Sequence, residues 1–159
     1  MKKVCYFVFT CLAVLFTSCA SMKPAVVNKV SSLDDYTYFY ITPTQELTSS
    51  SGATISGQYY STSKTINPSD VITGTLIKRG FLRLPELDKD KLDKTFVVNY
   101  GESGRRNVNL GYSIEITLQF VSAIDHSLIC VTTAEGQGST EADDIRIAIN
   151  RALEALFKE

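Results

Sequence analysis

The sequence predicts an α+β fold: a two-layer sandwich in which two helices pack on one face of a mainly antiparallel sheet of about five strands. Two patterns support this prediction. Residues 112–120 alternate apolar and polar side chains, as in a strand with one buried face. Residues 140–157 repeat apolar side chains at helical spacing, which indicates a helix that lies on an apolar surface. The order strand, helix, strands, helix then predicts segregated layers.

The composition is that of one globular domain. The chain has 159 residues, of which 44% are hydrophobic and 21% are charged, so an intrinsically disordered chain is excluded. Its 16 basic and 17 acidic residues nearly balance. Because binding to nucleic acid needs a clustered surplus of Lys and Arg, we expect no nucleic-acid partner.

The first 18 residues have the features of a signal peptide. Lys2 and Lys3 supply a positive start, and residues 4–16 are uncharged. A helix of this length spans roughly 20 Å, which is short of the roughly 30 Å hydrocarbon core of a bilayer. Two alternatives stay open: cleavage after Ala20 by the ordinary signal peptidase, and retention of residues 4–22 as a membrane anchor.

The run Phe16-Thr17-Ser18-Cys19 resembles the lipobox of bacterial lipoproteins, in the relaxed form of Bacteroidota. The resemblance implies cleavage before Cys19, a thioether to diacylglycerol on its sulfur and an acylated amino group. It also implies an outer-membrane location facing the periplasm, since neither an Asp nor an acidic cluster follows Cys19. Residues 19–34 are then the lipidated cysteine and a tether, and residues 35–159 are a single periplasmic domain.

The elements of the mature domain follow in order. Residues 36–41 are aromatic and β-branched and predict a strand inside the sheet. Residues 44–66 are rich in Ser, Thr and Gly and are expected to be a long loop that is functional or partly ordered as a hairpin. Asn67 and Pro68 then open a helix that Gly80 ends.

The second half of the domain is expected to be mostly strands. Residues 81–84 and 95–100 are predicted strands on either side of a charged turn, and residues 101–111 are a predicted loop. Residues 112–120 and 128–133 then form a hairpin, and Thr140 opens the last helix.

The sequence offers few groups for chemistry. Once the signal peptide is removed and Cys19 is lipidated, Cys130 is the remaining thiol; its apolar neighbours predict a small buried side chain. His126 is the single histidine and lies in a predicted turn. We therefore expect no catalytic triad, metal site or cofactor. Catalysis by two carboxylates that meet in space stays an alternative.

Two pairs of residues are candidates for partner binding. Tyr59 and Tyr60 present aromatic rings to a glycan or protein partner, or fold back over the sheet. Arg105 and Arg106 bind an anionic group, or form a solvated loop tip.

Residues 35–157 resemble a group of small Bacteroidota lipoproteins of unknown function, through Asn67-Pro68-Ser69-Asp70-Val71-Ile72 and Thr140-Glu141-Ala142-Asp143-Asp144-Ile145-Arg146. The layout is also similar, more distantly, to periplasmic domains of the curli-secretion pore lipoprotein and of lipoprotein activators of peptidoglycan synthases. These resemblances imply a lipid-anchored, non-enzymatic binding or assembly module of the cell envelope. The alternatives are a hydrolase of envelope polymers that uses paired carboxylates, and a self-assembling structural lipoprotein.

Overall fold

The described part of the chain contains eight strands and two α-helices. The computed structural model describes residues 22–108 and 111–158, so Cys19 and the predicted signal peptide lie outside the described residues. The strands are β1 Val26–Lys29, β2 Tyr38–Ile41, β3 Leu47–Ile55, β4 Gln58–Ile66, β5 Leu82–Arg83, β6 Thr95–Val108, β7 Gly111–Ser122 and β8 Leu128–Gly136. The helices are α1 Pro68–Lys78 and α2 Glu141–Leu156, and a 3-10 helix spans Lys89–Lys94.

Six strands form the main sheet, in the order β1-β8-β7-β6-β2-β5, and β3 pairs with β4 in a separate hairpin. The predicted α+β class agrees with this architecture. The sheet is mainly antiparallel, as predicted, but it has six strands rather than about five, and β2 is parallel to both of its neighbours. The chain leaves β2, passes through α1 and returns as β5, and such a crossover is what parallel neighbours require.

The two helices cover one face of the sheet and enclose the core. Helix α2 packs on β7 and β8, and α1 packs beside it. The apolar stripe predicted for α2 is buried at Ile145, Ala148, Ile149, Ala152, Leu153 and Leu156. It meets the inward-facing residues of the sheet, which include Phe39, Phe96, Leu118 and Phe120. Burial of these side chains is the main source of stability of the fold.

Both helix starts agree with the predicted capping residues. The side chain of Asn67 accepts a hydrogen bond from the Ser69 amide, with Pro68 in the first turn. The Thr140 hydroxyl accepts one from the Asp143 amide. Gly80 has a φ of 98°, so it ends α1 in a conformation that suits glycine.

Two segments predicted as irregular are strands. In the predicted loop 101–111, residues 101–108 and Gly111 are strand, because β6 continues to Val108 and β7 begins at Gly111. A register shift between Glu102 and Gly104 lets β6 continue past its glycines. In addition, β1 lies within the predicted tether 19–34 and pairs antiparallel with β8, so the ordered domain starts well before residue 35.

Candidate functional site

The hairpin β3–β4 projects from the domain, and we call residues 47–66 the arm. Its strands pair without a register shift from Leu47↔Ile66 to Ile55↔Gln58. Ser56 and Gly57 connect them, with φ of 52° and 79°. Positive φ at both central residues is what a type I′ turn requires. The segment expected as a loop or a partly ordered hairpin is therefore a regular hairpin.

The base of the arm is fixed to the start of α2. The Ser49 hydroxyl accepts a hydrogen bond of 2.8 Å from the Ala142 amide, one of the amides that a helix start leaves unpaired. Lys64 Nζ lies 2.6 Å from Asp143 Oδ2. The Lys64 ammonium, with help from the Ser139 hydroxyl, lowers the pKa of Asp143 to about 2. These contacts set the direction in which the arm leaves the domain.

The outer arm, residues 50–63, has every side chain exposed on both faces of the hairpin. Ile55, Tyr59 and Tyr60 are 60%, 70% and 57% exposed. The alternative in which the tyrosines fold back over the sheet is not what the structure shows. Residues 47–63 contain no charged side chain, so the polar groups around these apolar side chains are hydroxyls and the amide of Gln58.

The two tyrosines lie on opposite faces of the arm. Tyr59 is opposite Thr54 and Tyr60 is opposite Ala53, so their side chains alternate. The Tyr59 ring lies over Gly52, where a β-carbon would overlap its hydroxyl end. Tyr60 Oη donates a hydrogen bond of 2.8 Å to Gln58 Oε1. Both rings are therefore positioned by neighbours within the arm and stay accessible.

Arg105 and Arg106 have ion-pair partners within the domain. Arg105 forms an ion pair with Glu141, and its Nη2 lies 3.8 Å from Glu102 Oε2. Its guanidinium carbon lies 5.5 Å from the centre of the Tyr112 ring. The Arg106 guanidinium contacts both oxygens of Glu135, at 3.0 Å and 2.7 Å. Neither arginine sits at a loop tip, because both belong to β6.

Glu135 also holds the start of the described chain. Its carboxylate accepts a hydrogen bond of 3.0 Å from the Lys23 amide, and Lys23 Nζ lies 3.4 Å from Glu135 Oε1. The side chain of Glu135 is 2% exposed, and hydrogen bonding from Arg106 lowers its pKa to about 2. Arg151 donates to the carbonyl oxygens of Glu135 and Lys23. No local sequence pattern marks this cluster, since its members lie far apart along the chain.

A shallow cleft separates the arm from the sheet. Its lining includes Ser50, Tyr112 and two carboxylates, Glu141 and Asp144. Asp144 is 4% exposed; burial raises its pKa, and the Gly138 amide donates to it. Glu141 is paired with Arg105. The two carboxylates thus have structural partners, and Tyr59 and Tyr60 do not line this cleft.

The other predicted residues lie away from the arm. Cys130 is buried, as predicted, and burial raises the pKa of its thiol to about 11, which suppresses the nucleophilic thiolate. His126 lies in the β7–β8 turn with a φ of 59°. Across residues 22–108 and 111–158, no three His, Cys, Asp or Glu side chains form a group that could hold a metal ion.

Comparison with known proteins identifies no family. No family model and no curated protein sequence matches the chain. Solved structures of PelC dodecamers from Paraburkholderia phytofirmans are weakly similar. A single-substitution variant has a TM-score of 0.46 at 12% identity, covering 83% of this chain and 96% of that one. Another PelC dodecamer has a TM-score of 0.43 at 11% identity, with the same coverage.

Proposed function

We propose that this protein is a lipid-anchored, periplasm-facing module of the cell envelope that binds rather than catalyses, and that the outer arm is its binding surface. Cys19 is the lipidated residue in this proposal. The location is the outer membrane.

The exposure of the outer arm is the observation that carries the proposal. Ile55 and Tyr60 are exposed on one face of the arm and Tyr59 on the other, and large apolar side chains exposed near one another are typical of interaction sites. Tyrosine is enriched at such sites because its ring adds apolar area and its hydroxyl keeps a polar partner. No residue of the outer arm belongs to the hydrophobic core. Core packing therefore does not explain why these large apolar side chains are present.

The case for the anchor comes from the sequence before the described domain. The lipobox-like run ends at Cys19, and the chain is held to Glu135 from Lys23 onward. Among the described residues, no helix combines the length and apolar character needed to cross a membrane.

Labelling with radioactive palmitate in the native host tests the anchor. We expect the wild-type protein to incorporate label and Cys19→Ala to lose it, while Cys11→Ala, which changes a cysteine within the predicted signal peptide, keeps it. Label persisting in Cys19→Ala would refute lipidation at this residue.

Crosslinking in intact cells tests the binding surface. The wild type is compared with a variant in which Asn-Gly replaces residues 50–63 and joins Ser49 to Lys64, which are paired in the hairpin. We expect adducts that form with the wild type and disappear with the variant, whereas palmitate labelling stays the same. Identical adducts in both would show that the binding surface lies elsewhere.

A further inference from the structure

The start of the described chain leaves the domain at a defined end of the sheet. β1 is antiparallel to β8, with Val26 opposite Thr133. Followed backward from Val26, the chain therefore runs toward the C-terminal end of β8, where Lys23 is bound by Glu135. Three peptide links separate Met22 from Cys19, a reach of at most about 11 Å. Chain length alone therefore keeps an anchor on Cys19 within reach of this end of the domain.

The arm points to the same end. Successive residues of β4, taken from its base outward, contact positions nearer the start of α2. The carbonyl oxygen of Thr65 accepts a hydrogen bond from Arg146. Lys64, the next residue outward, contacts Asp143 and Ser139. Helix α2 begins at Glu141, and its first turn passes close to Gly136, at the end of β8, through Asp144. The outer arm therefore continues beyond this end, by about 20 Å for the six residues 50–55.

The chemistry of the outer arm suits the interface of a bilayer. Tyrosine rings favour the headgroup level, where the ring meets acyl chains and the hydroxyl meets water. A charged side chain would oppose this contact, and the outer arm has none. In an anchored protein the contact between arm and membrane can be weak. The lipid on Cys19 keeps the arm next to the membrane, so this second contact is effectively intramolecular.

We propose that the outer arm contacts the glycerophospholipid surface of the membrane in which Cys19 is anchored, through Ile55, Tyr59 and Tyr60. This inference rests on the proposed function and names the partner of its binding surface. The arm then acts as a second contact that fixes the orientation of the domain on the membrane. A protein partner for the same residues is the competing outcome of the test.

A fluorescent reporter tests the contact, since the chain contains no tryptophan. The acylated mature protein carrying Tyr60→Trp is placed in vesicles of phosphatidylethanolamine and phosphatidylglycerol, with or without bromine on the acyl chains. Bromine quenches tryptophan only at close range. Ile124→Trp is the matched control, because Ile124 is 63% exposed and lies in the β7–β8 turn at the opposite end of the sheet. Tyr59→Trp repeats the test on the other face of the arm.

We expect brominated lipid to reduce the emission of the Tyr60→Trp and Tyr59→Trp proteins and to leave that of Ile124→Trp unchanged. Unquenched emission from both arm variants, in protein that carries the palmitate label, would overturn the inference but not the anchor. Absence of the label would instead overturn the proposed function. Arm-dependent crosslinks to a protein, together with unquenched emission, would assign the arm to that protein.

Discussion

The ionised carboxylate of Glu135 joins three parts of the fold. It lies between Arg106 and Lys23, so one buried carboxylate joins β8, β6 and the start of the described chain. A buried charge is tolerated only when it is paired, and removal of its partners leaves a costly isolated ion. Arg106 thus has a structural role, as the partner of Glu135, that its position in the sequence did not reveal.

Glu135→Gln should lower stability at neutral pH but not near pH 2. The pKa of Glu135 falls from 4.5 to about 2 in the fold, so its contribution exists above the unfolded-state pKa and is lost as pH falls toward 2. At neutral pH we expect a loss of roughly 2–3 kcal/mol. Urea unfolding of both proteins from pH 7 to pH 2 measures the difference.

The wild type and Glu135→Gln must be compared at each pH, because Asp144 changes the free energy of unfolding with pH in the direction opposite to Glu135. Its pKa is raised by burial, so lowering the pH relieves the cost of burying its charge. That contribution is common to wild type and variant and cancels in the difference. A difference in unfolding free energy that stays constant down to pH 2 would contradict the assigned role of Glu135.

Gly136 permits the close approach of β8 to α2. A β-carbon at this position would overlap backbone atoms of Asp144 and Ala148. We expect Gly136→Ala to cost roughly 2–4 kcal/mol, since the obstacle is backbone and cannot rotate away. Gly101→Ala is the control, because a β-carbon there meets nothing within 4 Å. Thermal unfolding of the two variants checks this, and equal melting temperatures would show that the packing is looser than described.

Helices and strands with one buried face could be predicted from the sequence, and strands exposed on both faces could not. The stripe of α2 and the alternation in β7 are patterns of a buried face, and both elements were predicted close to their observed ends. Residues 101–105 of β6 and the outer arm are exposed on both faces, so no periodicity marks them. Around Arg105, glycines and asparagines suggested a loop where a bulge keeps the strand paired.

The arm should be dispensable for folding. Its outer half has no buried side chain, so the variant with Asn-Gly in place of residues 50–63 keeps the core and the contacts of Ser49 and Lys64 with α2. We expect one cooperative thermal transition, with a change in unfolding free energy below about 1 kcal/mol. Loss of cooperativity, or a large drop in melting temperature, would mean that the arm is part of the core rather than a binding surface.

For the whole molecule, the sequence predicted the α+β class but not the order of the strands. The pairing of β1 with β8 joins segments about a hundred residues apart, and nothing in Val26–Lys29 distinguishes this strand from a tether. Likewise, local patterns do not reveal that β2 is parallel to β5 and β6. Lipidation at Cys19 and the arm as binding surface stay proposals, whereas burial of Cys130 is confirmed.

Cys130 offers a readout of global stability. It lies 1% exposed in the core, and the raised pKa keeps its thiol protonated at neutral pH. In the acylated protein in detergent, we expect its reaction with a disulfide reagent to be on the order of 100-fold slower, or more, than in urea. Rapid labelling without denaturant would show that the core around β8 opens readily.

The most direct test of the account is the mass of the N-terminal peptide of the native protein extracted from its membrane. Lipidation predicts a peptide that begins at Cys19 and carries the added mass of a diacylglyceryl group and an N-linked acyl chain. A peptide that begins at Ser21 without lipid, or a chain that retains residues 1–18, would contradict the anchor and, with it, the membrane contact proposed for the arm.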